Sequence, residues 1–524
     1  MFCPKFVIVE GNNKLQGTRV VIYFFLFVAV AGLFPQTAWA AEPGMLDTIF
    51  GTLNGYLASI IFLDVFPGAP ELPFVVAWLI AGAVFLTLRF GFVNLRMMRH
   101  AFAVLRGKYR TRDDVGEVSS FQALTTALSA TVGLGNIAGV AIAISIGGPG
   151  ATFWMIVAGF FGMSTKFAEA TLAQRYREVR PDGRIMGGPM EYLSKGFAEF
   201  NMPRTGKILA GVFAVFTVFG SLGAGSAFQV SQSLGAVQEL FPFFKETPIA
   251  YGLLMGLAVG VVIIGGLRRI AHTAEAIVPS MILVYVLACL WIILGNIEQV
   301  PGALGMIVRE AFSPIAVAGG MVGALVQGFK RAMFSSEAGL GSAAIVHSTA
   351  SVKYPIRQGM VALYEPFIDT IVICTMTALV IVITGVYNDP ATLAIREASK
   401  GAALTSAAFA TVSDWFPAIL TVSVVLFAYS TMISWSYYGE RCWAYLFGER
   451  VSIVYRVVFL GFIVVASVAS AANMLDFTDL LVLAMAFPNF LGLYLLSGKV
   501  KTMLADYQGR LKSGELEREI VHPK

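Results

Sequence analysis

Charge is what this sequence has least of. Of its 524 residues only 13% are Asp, Glu, Lys or Arg, while 57% are hydrophobic and mean hydropathy is +0.75. Soluble globular domains average about a quarter charged residues, so the deficit excludes an ordinary water-soluble fold and places the chain in hydrocarbon. Cysteine is nearly absent too. Cys3, Cys289, Cys374 and Cys442 lack metal-ligand spacing, and the last three fall in or beside apolar stretches. They read as small buried hydrophobes, not as a disulfide framework. Histidine is equally thin, and His100, His272, His347 and His522 do not cluster in sequence. There is no GxSG, no HExxH and no GxGD-type pair of aspartates, so the chain has no machinery for an intramembrane hydrolase and reads as a non-enzyme without a cofactor. The net charge of +5, from 37 Lys and Arg against 32 Asp and Glu, calls for no nucleic-acid partner. The basic residues follow a topological pattern instead.

That pattern begins at the N-terminus. Lys5, Lys14 and Arg19 precede the apolar run 20–34, and Ala38 and Ala40 then give an A-x-A cleavage pattern. Residues 1–40 are expected to be a signal peptide, with an uncleaved first helix as the rival reading. Residues 41–70 would follow as a periplasmic segment. Eleven further stretches are long and apolar enough for a hydrocarbon layer of roughly 30 Å: 71–93, 119–146, 150–174, 207–236, 249–267, 274–295, 317–347, 358–386, 417–438, 456–473 and 476–497. The fold class is therefore an all-α polytopic membrane protein. Arg96, Arg99, Arg106, Lys108, Arg110 and Arg112 lie in the 94–118 loop, and Arg175, Arg177, Arg180, Arg184, Lys195 and Arg204 in the 175–206 loop. With Arg268, Arg269, Lys353, Arg357, Arg441, Arg450 and a tail from 498 to 524, they share one side if the first span runs outside to inside. The opposite loops, such as 387–416, carry mixed charge. The positive-inside rule predicts a periplasmic N-terminus and a cytoplasmic C-terminus in a bacterial inner membrane.

Two spans differ from the rest. SATVGLGNIAG (129–139) and FSSEAGLGS (334–342) put glycine and polar residues in the middle of apolar stretches. Glycine at that density is a poor recipe for an unbroken helix. The two spans are five apart and should cross in opposite directions. Paired interruptions of this kind point to an inverted-repeat transporter with a midplane site; small residues that let helices pack closely are the alternative. An opened helix exposes N–H groups for a carboxylate and carbonyls for an ammonium. The amides of Gly133, Leu134 and Gly135 form the natural carboxylate cradle. Nearby carbonyls and the Thr131 hydroxyl are acceptors for an ammonium or a cation. Asn136 belongs to the same break.

Residues 133–150 with Phe153 and Trp154 resemble the broken-helix signature of the alanine or glycine:cation symporter family. KFAEATLA (166–173), GGPM (187–190), FSSEAG (334–339), PFIDT (366–370) through Gly385, and 429–440 match in the same order, from about residue 70 to 500. Many relatives are expected to carry Asn where this chain has Ser336. The resemblance implies the leucine-transporter fold: a first repeat over 119–295, a second over 317–497, and an extra span at 71–93. It implies a symporter importing a small neutral amino acid, alanine or glycine, with sodium by alternating access. Proton coupling, or another small zwitterion such as serine or D-alanine, is the alternative. It also implies a sodium cage of five oxygens, from the carbonyls of Ser129, Val132 and Phe427 and the hydroxyls of Ser430 and Thr431. Hydroxyls in membrane helices also commonly bond their own preceding turn. Gln229 matches a substrate-facing glutamine, or is glue between helices. Phe334 matches an aromatic cover over the substrate, or is core.

Charges inside a span are functional suspects. Glu169 is one turn from Lys166 and is expected to pair with it. Glu337 shares a span with Lys330 and Arg331, as an internal pair or a gate. Asp369 either tunes coupling or sits near the cytoplasmic surface. A channel would need a charged ring or a repeated filter, whereas two dissimilar breaks suit alternating access. Nothing in the sequence assigns an oligomeric state.

Overall fold

The computed structural model describes residues 45–61, 63, 72–111, 113–181, 183–313 and 320–519. The signal-peptide expectation for 1–40 lies outside these residues. The regular structure of the described residues is helical apart from a short hairpin, Glu178–Val179 paired with Ile185–Met186, and a parallel bridge between Val118 and Ala350. Among the described residues each of the eleven apolar stretches overlaps one or more helices. In chain order the principal helices are α1 (Met45–Ile61), α2 (Phe74–Arg89), α3 (Ser120–Thr131), α4 (Val140–Gly147), α5 (Gly150–Tyr176) and α6 (Pro189–Ala198). They continue with α7 (Pro203–Leu240), α8 (Pro248–Ile263), α9 (Gly266–Gly295), α10 (Val300–Ala311), α11 (Gly320–Ser336) and α12 (Ser342–His347). The last are α13 (Pro355–Thr384), α14 (Gly401–Ala410), α15 (Phe416–Phe447), α16 (Ser452–Ala466) and α17 (Ala471–Lys512).

Five of these, α7, α9, α13, α15 and α17, are each long and apolar enough to cross a membrane, and α3 together with residues Gly135–Gly147 is long and apolar enough as a pair bent by 49°. On α9, Leu283, Leu287, Leu290, Trp291 and Leu294 follow a helical repeat and are all exposed. An apolar stripe of that size belongs against lipid, not water. The chain is an integral, polytopic membrane protein.

Local chemistry sets the helix ends that matter. Ser119 Oγ accepts the Gln122 N–H at 3.1 Å while Gln122 Oε1 accepts the Ser119 N–H at 3.1 Å, a reciprocal cap that starts α3. Just ahead of it, Glu117 N donates to Thr349 O and Ser351 N to Val118 O, both at 2.8 Å. The base of the first broken span is thus stitched to the chain that leaves the second. α5 lies at the centre, packed on α11 and α13.

Three features depart from the sequence reading. α1 lies within the segment expected to precede the spans and packs on α17, with Asn54 Nδ2 donating to Asn473 O at 3.1 Å. Asp47, Thr48, Thr52 and Asn54 dilute its hydropathy, so no apolar stretch stood out. α17 does not stop at residue 497. It runs unbroken to Lys512, 42 residues, because 498–512 holds good helix formers and no proline. The 387–416 loop folds inward: α14, a run of small residues, is buried against α7 and α15 and the first break.

Candidate functional site at the helix breaks

α3 ends where Val132 adopts φ −75°, ψ 78°, which swings its carbonyl off the helix axis. The chain re-enters helix through a wide π turn, Gly135–Gly139. The Gly133 N–H is shared between Thr131 O at 2.8 Å and Asn136 Oδ1 at 3.0 Å. The Leu134 N–H donates to Gln229 Oε1 at 3.3 Å. Gln229 reaches the break because α7 has its own π turn, Gly223–Ala227, and its Nε2 donates back to Ala224 O at 2.9 Å. The bare amides expected at Gly133 and Leu134 are therefore capped, by neutral side-chain oxygens. Thr131 Oγ1 donates to Ala127 O at 3.2 Å, turned back along its own helix and not toward the break.

The second break meets the first at Gly135. A Cβ built there would lie 3.1 Å from Ser335 Cα and 3.3 Å from the Phe334 ring. The Phe334 ring stands edge-on to Phe228, centroids 4.8 Å apart, with the Arg331 guanidinium 5.6 Å from its centroid. Gly133, Leu134, Gly135, Asn136, Gln229 and Phe334 thus gather in one place.

Beside them is an oxygen cluster. Thr431 Oγ1 donates to Ser129 O at 3.0 Å and lies 3.3 Å from Ala130 O. Ser430 Oγ reaches Phe427 O at 3.0 Å in its own turn and Ser129 O at 3.4 Å across the interface. Ser129 Oγ donates to Ser430 O at 2.7 Å. The Thr431 hydroxyl bonds a neighbouring helix, not its own preceding turn. Ala130 O joins the group unforeseen, whereas no hydrogen bond ties Val132 O to it among the described residues.

The chain leaves α11 through three left-handed residues, Glu337 (φ 56°), Gly339 (φ 93°) and Gly341 (φ 83°), before α12. Glu169 Oε1 accepts the Gly339 N–H at 3.0 Å and Asn489 Nδ2 at 2.7 Å, and Asn489 Nδ2 also reaches Gly339 O at 2.8 Å. Tyr192 donates to Asn489 Oδ1, and Ser342 Oγ to the Glu337 carboxylate.

The charge pairing differs from expectation. Lys166 pairs with Glu365 at 3.0 Å, not with Glu169. His347 bonds Glu365 through Nε2 while Gln358 Nε2 donates to its Nδ1 at 2.7 Å. Lys330, at 3.5 Å, and Arg331 pair with Asp479 and leave Glu337 to Ser342. The reason is common to all three. On a buried helix the partner is chosen by what packs across, and α13 and α17 bring closer carboxylates than the local turn does. Asp369 is not near a surface. It sits at 0% exposure in the π segment Phe367–Cys374, where it accepts Asn136 Nδ2 at 2.6 Å, Ser335 Oγ at 2.8 Å and Thr370 Oγ1 at 2.7 Å. Asp479 and Asn489 were missed, although both lie in a predicted span where the rule for intramembrane polar groups would have found them.

A model of the sodium:alanine symporter family matches residues 62–521. The chain is 41% identical to the sodium/alanine symporter AgcS of Methanococcus maripaludis over 429 residues, 82% of this chain and 92% of that protein. It is 35% identical to the probable sodium/glutamine symporter GlnT of Bacillus subtilis over 440 residues, 83% and 88% of the two chains. Among solved structures, MhsT in complex with L-phenylalanine aligns with 73% of this chain and 98% of its own, at 14% identity and a TM-score of 0.47.

Proposed function

This chain belongs to the sodium:alanine symporter family, and from that premise we propose that it imports alanine or glycine with sodium across the bacterial inner membrane by alternating access. One observation carries the reading. The amide cradle and the oxygen cage adjoin at Gly133, where an added Cβ would collide with Thr431 Oγ1 and lie 3.4 Å from Gln229 Oε1. Whatever binds the cage sets the shape of the cradle, which is what coupling between cation and solute requires.

In this reading the amides of Gly133, Leu134 and Gly135 receive the substrate carboxylate, which takes the places now held by Asn136 Oδ1 and Gln229 Oε1. The exchange is favourable because a hydrogen bond to a charged acceptor is roughly twice as strong as one to a neutral amide. Carbonyls at the end of α3, beside Thr131, receive the ammonium. The Phe228–Phe334 pair closes the apolar side and limits the substrate to a methyl group or hydrogen. Sodium takes the carbonyls of Ser129, Val132 and Phe427 with the hydroxyls of Ser430 and Thr431, hard oxygen donors suited to a hard cation. The basic loops place the C-terminus in the cytoplasm. α3–α9 and α11–α17 form the two inverted repeats, with α2 outside them.

The test is uptake of radiolabelled alanine into proteoliposomes with an imposed sodium or proton gradient. An inward sodium gradient should drive accumulation, with glycine competing. Accumulation driven by protons alone would overturn sodium coupling, and glutamine competing better than glycine would overturn the size argument.

A further inference from the structure

At the far end of α3 from the cradle and the cage lies a buried charge that neither uses. Arg357, near the start of α13, is 1% exposed, and among the described residues no carboxylate forms an ion pair with it. Its Nη1 donates to Tyr109 O at 2.6 Å and its Nε to Tyr507 Oη at 3.3 Å, but Nη2 has no hydrogen-bond partner. The rings of Tyr354, Tyr109 and Tyr507 stand around the guanidinium at 4.7, 5.7 and 5.9 Å and offset only part of its charge. A buried cation without a counter-ion keeps much of its desolvation penalty. Arg357 lines a cavity of about 460 Å³, in the size range of small-molecule sites, on the face of the bundle that carries the basic loops. The first turn of α3 forms another wall. Ser119 caps Gln122, which leaves the N–H groups of Ser120 and Phe121 and the Ser120 hydroxyl with no hydrogen bond among the described residues. Those amides are the positive end of the helix. Arg110 adds a third wall, exposed and in no ion pair among the described residues. The acids that line the cavity are committed elsewhere. Asp114 accepts the Thr111 N–H, the Thr111 hydroxyl and the Lys353 N–H, at 3.0, 2.8 and 2.9 Å, and Glu117 accepts the Ile185 N–H of the hairpin. His100, which shares the Tyr507 hydroxyl with Arg357, is pushed down to about 4, first by burial and then by Arg357 and Lys108, so the field here is positive.

We propose that this cavity is an anion site for a phosphate group, carried by a soluble phosphate ester or by the headgroup of a lipid. Arg357 supplies the buried charge, Arg110 a second one, and Ser120 and Phe121 the backbone donors of a helix N-terminus, a combination suited to phosphate. Donors on three walls favour phosphate over a carboxylate, because tetrahedral oxygens can meet all three and a planar pair cannot. Val115 and Phe121 are exposed beside the cavity, an apolar rim that lipid would cover and a soluble ester would not. The walls belong to both broken spans. α3 begins in one, and residues 351–357 are the chain that leaves the second break. A bound phosphate ties the two together beside the backbone bonds from Glu117 to Thr349 and from Ser351 to Val118. It therefore stabilises the folded chain, as does any ligand that binds the native state alone.

The experiment needs no transport, so it does not depend on the symport reading. The full chain is purified in dodecyl maltoside, and its unfolding temperature is followed against inorganic phosphate, glycerol phosphate, and phosphatidylglycerol or phosphatidylcholine mixed into the micelles. Chloride holds the ionic strength constant. At least one phosphate probe should raise the unfolding temperature saturably. A rise with the soluble probes assigns a soluble ester, and a rise with phosphatidylglycerol alone assigns a headgroup. Arg357 is too buried to remove without cost to the fold, so two milder variants carry the test. Arg110→Gln changes an exposed side chain. Ser120→Pro removes one amide and the hydroxyl at the first helical position, where proline is favoured, and Ser119 at φ −70° and ψ 162° already has the conformation that precedes proline. Each should weaken the apparent Kd about tenfold or more and leave the ligand-free unfolding temperature near wild type. No saturable shift with any probe overturns the proposal. So does a shift that either variant leaves unchanged, a shift matched by acetate, or a lipid-only effect that phosphatidylcholine reproduces.

Discussion

Replacing Thr431 by alanine removes Oγ1, which lies 3.0 Å from Ser129 O and 3.3 Å from Ala130 O, and which any Cβ on Gly133 would strike. Two effects separate in the assay. An oxygen contact to a charged partner contributes about 1.5–3 kcal/mol, so the sodium concentration for half-maximal uptake should rise roughly 10- to 150-fold. Thr431→Ser keeps the oxygen and should stay near wild type. The second effect is packing. Gly133→Ala drives a methyl group into Oγ1 and should cost about 1–3 kcal/mol of stability, read as a lower unfolding temperature. In the double variant that methyl fills the space Oγ1 has left. Stability should then exceed the sum of the single effects by about 1 kcal/mol or more, while sodium dependence stays impaired. Unchanged sodium dependence in well-folded Thr431→Ala would make the hydroxyl a packing group and refute the cage. Recovery of sodium affinity in the double variant would refute it equally.

Gly135→Val should abolish alanine binding in protein that still reaches the membrane, because its Cβ starts 3.1 Å from Ser335 Cα and the branches extend further; near-normal affinity would move the carboxylate elsewhere. Glu365→Gln leaves Lys166 buried without its counter-ion and should cost about 3–5 kcal/mol, measured by thermal unfolding, with much of the loss recovered when Lys166→Met is added. His100, in the basic loop, is pushed down to about 4, first by burial and then by Arg357 and Lys108. The unfolded chain therefore binds the proton more readily, so stability falls as pH drops from about 6.5 toward 4. His100→Gln should flatten that part of the pH profile of the unfolding temperature; an identical acid slope would assign the loss to other groups.

The breaks were legible because their cause is local. Glycine and polar residues in an apolar stretch remove helix propensity wherever the chain goes, and Gly339 and Gly341 do take positive φ. The Ser430–Thr431 pair was legible as two hydroxyls a turn beyond Phe427; that Thr431 crosses to α3 came only from a family likeness. What was not legible was long-range pairing. Lys166 and Glu365 are far apart in sequence, and a turn-spaced Glu169 looked like the better partner. Glu169 instead caps the second break, whose backbone N–H offers a directional bond that local spacing cannot reveal. α14 was hidden for the opposite reason. It is apolar but only 10 residues long, below the length that crosses a membrane, and its burial depends on Gly401 meeting the Ala138 carbonyl without a side chain in the way.

The two breaks are held by different chemistry, and the difference decides which of them exchanges partners. At the first, Gly133 and Leu134 donate to neutral amide oxygens, and the longer of those bonds is 3.3 Å. In the proposed reading an incoming carboxylate would replace a neutral acceptor with a charged one, and the displaced amides would keep other partners: Gln229 has Ala224 O, and Asn136 has Asp369. At the second, Gly339 already donates to a carboxylate, Glu169, itself anchored by Asn489 and through it by Tyr192. An anionic ligand there would have to displace one carboxylate with another in a region that holds Glu169, Glu337 and Glu365 around a single lysine. Like charges at that range disfavour the exchange. The first break is thus expected to open and close on the ligand, and the second to act as the fixed pivot against which it moves.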